Sequence, residues 1–100
     1  MAKAVDSSLL ERWRSLDAKV VLAALAEYVK QDGTYKPVKD QASSRWHARV
    51  DGAEYELLLT GSRFWDSRAR SGGGGAVDLV IHLAQTDFPG AVRRLKALGL

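Results

Sequence analysis

The chain has 100 residues, room for one domain, and a composition (46% hydrophobic, 27% charged, two prolines) that excludes wholesale disorder and collagen-like repeats. It has no cysteine, which excludes a disulfide framework, an iron–sulfur cluster, a thiol nucleophile and cysteine-ligated zinc; two histidines, His47 and His82, are too few for a dedicated transition-metal site. Fifteen Lys and Arg against twelve Asp and Glu leave a net charge of +3, which permits nucleic acid as a partner without requiring it. No segment approaches the roughly 18–20 apolar residues of a membrane span, and the first residues lack the apolar core of a signal peptide. A cytoplasmic location, with no membrane partner, is the resulting expectation.

Read in chain order, the periodicity predicts helices, then strands, then helices. Ser7 or Ser8 is placed to cap a first helix carrying Leu9, Leu10, Trp13 and Leu16. Asp17 is placed to cap a second, whose stripe Val20, Val21, Ala24, Leu25 and Tyr28 runs on to a stop at Asp32-Gly33. Thr34 to Val38 is short and extended, since Pro37 disfavours helix at Lys36. From Ser44 to Val50 the pattern alternates, with Trp46, Ala48 and Val50 on one face and Arg45, His47 and Arg49 on the other. Asp51-Gly52 is a two-residue hairpin signal. A return strand through Tyr55 to Leu59, a turn at Thr60-Gly61-Ser62 and a third β segment from Arg63 to Asp66 complete an antiparallel meander. Gly72 to Gly75 reads as a loop opening a largely apolar helix from Ala76 to Ala84, and Asp87 caps a last helix with Pro89 in its first turn. The predicted fold class is α+β: N-terminal helices, a small meander, and two C-terminal helices packed on the sheet.

Two features suggest binding rather than catalysis. A glycine loop at a helix N-terminus exposes backbone N–H groups that suit a phosphate, although the same loop also serves close packing of helix on sheet. No Lys-Ser or Lys-Thr follows the glycines, so this is no P-loop, and no spaced glycine fingerprint supports a dinucleotide fold. Ahead of them, Arg63-Phe64-Trp65-Asp66-Ser67-Arg68-Ala69-Arg70 combines three arginines with two aromatics, groups that meet phosphates and stack on unpaired bases. Asp78 and His82, four apart, read as a helix pair or a core histidine, and Glu54 and Glu56 as a solvated strand edge. No catalytic set and no small-molecule site emerges, so neither an enzyme nor a cofactor is expected.

The run Gly-Gly-Gly-Gly-Ala-Val-Asp-Leu-Val-Ile-His-Leu, followed by Asp-Phe-Pro-Gly-Ala-Val-Arg-Arg-Leu, resembles the end of the CHC2-type zinc-binding domain of bacterial DNA primases. The likeness covers roughly residues 17–98 of a domain taken as 1–100. Tyr-Lys-Pro-Val-Lys-Asp, Arg-Trp-His and Phe-Trp-Asp are similar to cysteine-free relatives on plasmids and integrative elements. The resemblance implies a zinc-ribbon-like meander that contacts single-stranded template while a separate domain makes the phosphodiester bond. The family's four zinc ligands fall here on Lys36, Lys39, Ser67 and Arg70, two ammoniums, a hydroxyl and a guanidinium, so zinc is not carried over. What transfers is the expectation of a DNA-facing sheet using Arg45, Arg49, Arg63, Trp65, Arg68 and Arg70, with Gly73 and Gly74 as phosphate donors.

Two functions are open on this reading. One is a single-stranded DNA-binding module of a primase or mobile-element replication protein, working beside a primase, polymerase or helicase domain or subunit. The other is an adaptor that keeps the fold and docks an acidic protein. The chain's end just past the last helix fits either a piece of a larger primase or a small protein with this domain alone.

Overall fold

The sheet is set by its turns. In the computed structural model, which describes residues 6–100, Asp51 and Gly52 take φ of 49° and 83° and close a two-residue hairpin. That hairpin joins β2 (Ser44–Val50) to β3 (Ala53–Thr60). Gly61, at φ 59°, turns the chain into β4 (Arg63–Asp66), and Arg70, at φ 55°, ends the turn into β5 (Ser71–Gly74). With β1 (Tyr28–Gln31) these strands form a five-stranded antiparallel sheet in the order β1-β2-β3-β4-β5. The predicted meander and the α+β class are therefore present.

Helices cover one face only. The first two, α1 (Ser7–Ser15) and α2 (Ala18–Leu25), precede the sheet; α3 (Ala76–Ala84) and α4 (Phe88–Ala97) follow it. Asp17 caps α2 by accepting from Lys19 N–H at 2.9 Å, and Asp87 caps α4 by accepting from Gly90 N–H at 2.9 Å, both as predicted. The core between sheet and helices holds Ala48, Val50, Leu57, Leu59 and Phe64 against Val21, Leu22, Leu79, Leu83 and Leu95. Tyr55 adds a polar tie, its hydroxyl donating to the Leu83 carbonyl at 3.0 Å. Trp13 of α1 is wholly buried in the same core.

Four expectations are corrected. The first helix is capped by Asp6, not by Ser7 or Ser8, through the Ser8 N–H at 2.7 Å. The second helix ends at Leu25, and Tyr28 to Gln31 is a strand. Its aromatic and β-branched residues favour extended backbone, and pairing with Trp46 to Arg49 satisfies their peptide groups, whereas a short isolated helix extension would not. Gly72 to Gly74 is also a strand and not a loop, paired with Arg63 to Trp65. Close packing explains the glycines there: a Cβ on Gly72 would lie 2.5 Å from the Phe64 carbonyl oxygen and 2.8 Å from the Trp65 ring. Of the two readings of Asp78 and His82, the helix pair is absent and the histidine is largely enclosed: His82 Nε2 meets Asp66 at 2.7 Å, and Asp78 accepts from Gly74 N–H at 3.4 Å. Glu54 and Glu56 pair with β2 alone, because β4 joins β3 only from Leu57 onward, so their stretch of β3 is the strand edge expected of it.

Candidate nucleic-acid interface

Because only one face is covered by helices, alternation sends the other set of side chains outward. Tyr28 and Lys30, then Arg45, His47 and Arg49, then Glu54, Glu56, Leu58 and Thr60, then Arg63 and Trp65 share this open face. Register arranges them in rows. Arg49 stands opposite Glu54, and His47 opposite Glu56. Arg45, Leu58, Trp65 and Gly72 form a row across four strands.

One half of the face is an ion-pair network. His47 sits between two carboxylates, with Nδ1 2.7 Å from Glu56 and Nε2 against Glu54. Arg49 binds Glu54, Arg45 lies 3.6 Å from Glu56, and Arg68 reaches Glu56 at 3.8 Å. Glu56, then Glu54, hold the His47 imidazole above its ordinary protonation range, because two acceptor-only groups face its two ring nitrogens. Glu54 is held below the usual carboxylate range by Arg49 and then His47. Tyr28 packs edge-on against His47, with ring centroids 6.3 Å apart. Arg45 and Arg49 are thus partly neutralised in place.

The other half is a shallow groove of about 490 Å³ floored by Leu58 and Trp65 and rimmed by Asp40, Ser43, Thr60 and Arg63. Trp65 is 45% exposed, and its indole lies over Gly72, whose missing side chain leaves it room. The Arg63 side chain is 70% exposed, and among the described residues its one ion pair is with Asp40, at 3.8 Å. The long loop from β1 to β2 is tied beside it by the Ser43–Thr60 hydroxyl pair at 2.7 Å. Gly72→Ala will push the indole off its seat and destabilise the fold by about 1–3 kcal/mol, as overpacking does; chemical denaturation together with the tryptophan emission maximum checks this.

The predicted site residues divide accordingly. Arg63 and Trp65 line the groove, Arg45 sits in the same row, and Arg68 and Arg70 rise on the exposed turn that follows β4. Gly73 lines the groove beside Gly72, with Phe64 and Asp78 close to it, whereas the Gly74 N–H points at the Asp78 carboxylate, which repels a phosphate. Of the four positions where the resemblance puts zinc ligands, Ser67 and Arg70 belong to the β4–β5 turn, while Lys36 and Lys39 belong to the β1–β2 loop that meets β4 at its other end, near Arg63. Their donor groups do not suit zinc. No group of three or more His, Asp or Glu able to hold a metal ion occurs among the described residues.

The turn is organised by Asp66 instead. Its carboxylate is buried and accepts from the N–H groups of Arg68 and Ala69, each at 3.0 Å, and from His82 on α3 at 2.7 Å. His82 in turn lies between the rings of Tyr55 and Phe64. Sequence reasoning missed this pair and missed Asp40, Ser43 and Thr60. The alternation of β3 was a usable signal for Leu58 and Thr60; the long loop gave none for Asp40.

Compared with protein-family models, curated proteins and solved structures, the chain has no match in any of the three. Among the described residues no helix is long and apolar enough to cross a membrane.

Proposed function

We propose that this domain binds single-stranded DNA on its open sheet face and performs no catalysis itself. The observation that carries this reading is the half-exposed Trp65 packed on Gly72, with Arg63 two residues before it on β4, Arg45 in its own cross-strand row, and Arg68 and Arg70 on the turn past the end of β4. An indole held against the neighbouring strand is a stacking platform for an unpaired base, and the arginines follow the backbone phosphates. A duplex keeps its bases stacked inside and offers the platform nothing. The glycine-flanked meander and the resemblance to primase zinc-binding domains support a replication or mobile-element setting in the cytoplasm, beside a primase, polymerase or helicase partner.

Titration of labelled oligonucleotides at two salt concentrations tests this. Affinity for single strands should exceed that for duplex and fall steeply with salt as counterions are released. Trp65→Ala should weaken binding by about 1–3 kcal/mol with little change in salt slope. Arg63→Ala combined with Arg70→Ala should lower that slope by about 0.7 per lost phosphate contact. Absence of binding at low salt would remove the proposal and leave the adaptor with an acidic partner.

A further inference from the structure

The groove beside Trp65 contains an anion, which a purely backbone-binding surface has no use for. Asp40 stands on its rim, 48% exposed at the side chain, facing Arg63 at 3.8 Å. Its position is fixed from below: Oδ1 accepts from Ala42 N–H at 2.9 Å, and its own carbonyl accepts from Ser43 N–H at 3.0 Å. Ser43 is then anchored to Thr60 on β3. The carboxylate is therefore held at the edge of the stacking platform with lone pairs on both oxygens still available, Oδ2 having only the loose contact to Arg63. The volume, about 490 Å³, lies within the range of ordinary small-ligand sites.

A base stacked on Trp65 would present its pairing edge to that carboxylate. Two acceptor oxygens side by side need two adjacent donors. Guanine supplies them, through its ring N1–H and its exocyclic N2 amine. Adenine and cytosine each place one amine beside a ring nitrogen acceptor, which a carboxylate repels, and thymine flanks its one N–H with two carbonyls. Resting on the single-strand reading above, the geometry points to a guanine-selective base site: an unpaired guanine stacks on Trp65 and donates its N1–H and N2–H to Asp40, and Arg63 is released to the neighbouring phosphate or to O6.

The test uses thymine-rich oligonucleotides carrying isolated guanines, with the same positions replaced by adenine, thymine or inosine, which keeps N1–H and lacks the amine. Binding is followed by tryptophan emission and by anisotropy. The guanine strand should bind about tenfold tighter than the adenine or thymine strands, with inosine between them, the size of one good bidentate pair. Asp40→Asn keeps an oxygen for the Ala42 N–H, so the loop is preserved. It should abolish the guanine preference while raising affinity for the all-thymine strand, since a negative charge is gone. Equal binding of all four strands by the unaltered protein, or a guanine preference that survives in Asp40→Asn, overturns the base site and leaves single-strand binding standing. Binding to none of them overturns both.

Discussion

Asp66→Ala will destabilise the protein by about 3 kcal/mol in denaturant titrations at pH 7, an effect out of proportion to one exposed-looking turn. Asp66 is 3% exposed and serves three donors at once: Arg68 N–H, Ala69 N–H and His82. Removing it leaves those donors and a half-enclosed imidazole without their acceptor, and breaking a buried pair from one side costs about 3–5 kcal/mol. Partial solvent access at His82, with a side chain 18% exposed, sets the expectation at the lower end of that range. Asp66→Asn retains an oxygen for the two backbone donors and should fall between the alanine variant and the unaltered protein.

The pH dependence has a definite sign. Burial by itself pushes the Asp66 carboxyl up, but the Ala69 N–H, His82 and the Arg68 N–H together hold it below its ordinary value. A carboxyl depressed in the folded state contributes stability that is present above its unfolded value, about pH 4, and is lost as pH falls through the lower folded value. The gap between the unaltered protein and Asp66→Asn should therefore narrow below about pH 4. A gap that persists unchanged at pH 3, or one below about 1 kcal/mol at pH 7, would show that the turn does not depend on this carboxylate.

Trp13→Ala carries the other large effect, about 3–5 kcal/mol, as expected for truncating a large aromatic in a packed core. Trp13 has no accessible surface and joins α1 to α3 in the cluster that includes Leu79 and Leu83. Its indole Nε1 has no hydrogen-bond partner among the described residues, which a buried donor tolerates only at a penalty. Trp13→Phe loses packing volume but also discards that orphaned donor, and a buried unsatisfied N–H costs about 1–3 kcal/mol. The phenylalanine variant should thus lie within about 1 kcal/mol of the unaltered protein while alanine lies far below. Equilibrium unfolding of the two variants side by side settles it. Equal losses would mean that the indole N–H is bonded after all.

Much of this arrangement could be read from the residues, and the parts that could not have physical reasons. Asp51-Gly52 fixes a two-residue hairpin, and with it the pairing of Arg49 with Glu54 and of His47 with Glu56. The alternation from Ser44 to Val50 separates core from open face without ambiguity. Tyr28 misled because it falls at a helical interval from Leu25, and only the β2 edge beside it shows that pairing, not periodicity, decides its backbone. The glycines misled because a run of them in a strand is costly in isolation; the cost is offset by an indole and a carboxylate that occupy the space their side chains would need. Asp66, His82 and Asp40 act across the fold on partners distant in sequence, and nothing local to them announces it.

The strand order has a consequence for how the chain reaches this structure. Every strand pairs with its neighbour in sequence, and three of the four connections are short turns. Hairpins of that kind close small loops, so the sheet can zip progressively with little entropic barrier. The docking of α1 on α3 joins segments far apart in sequence and closes a much longer loop than any of the strand turns. Short loops thus favour quick closure of the meander, while the first helix, with Trp13 and the neighbouring Leu9, Leu10 and Leu16, has to be brought in from far along the chain.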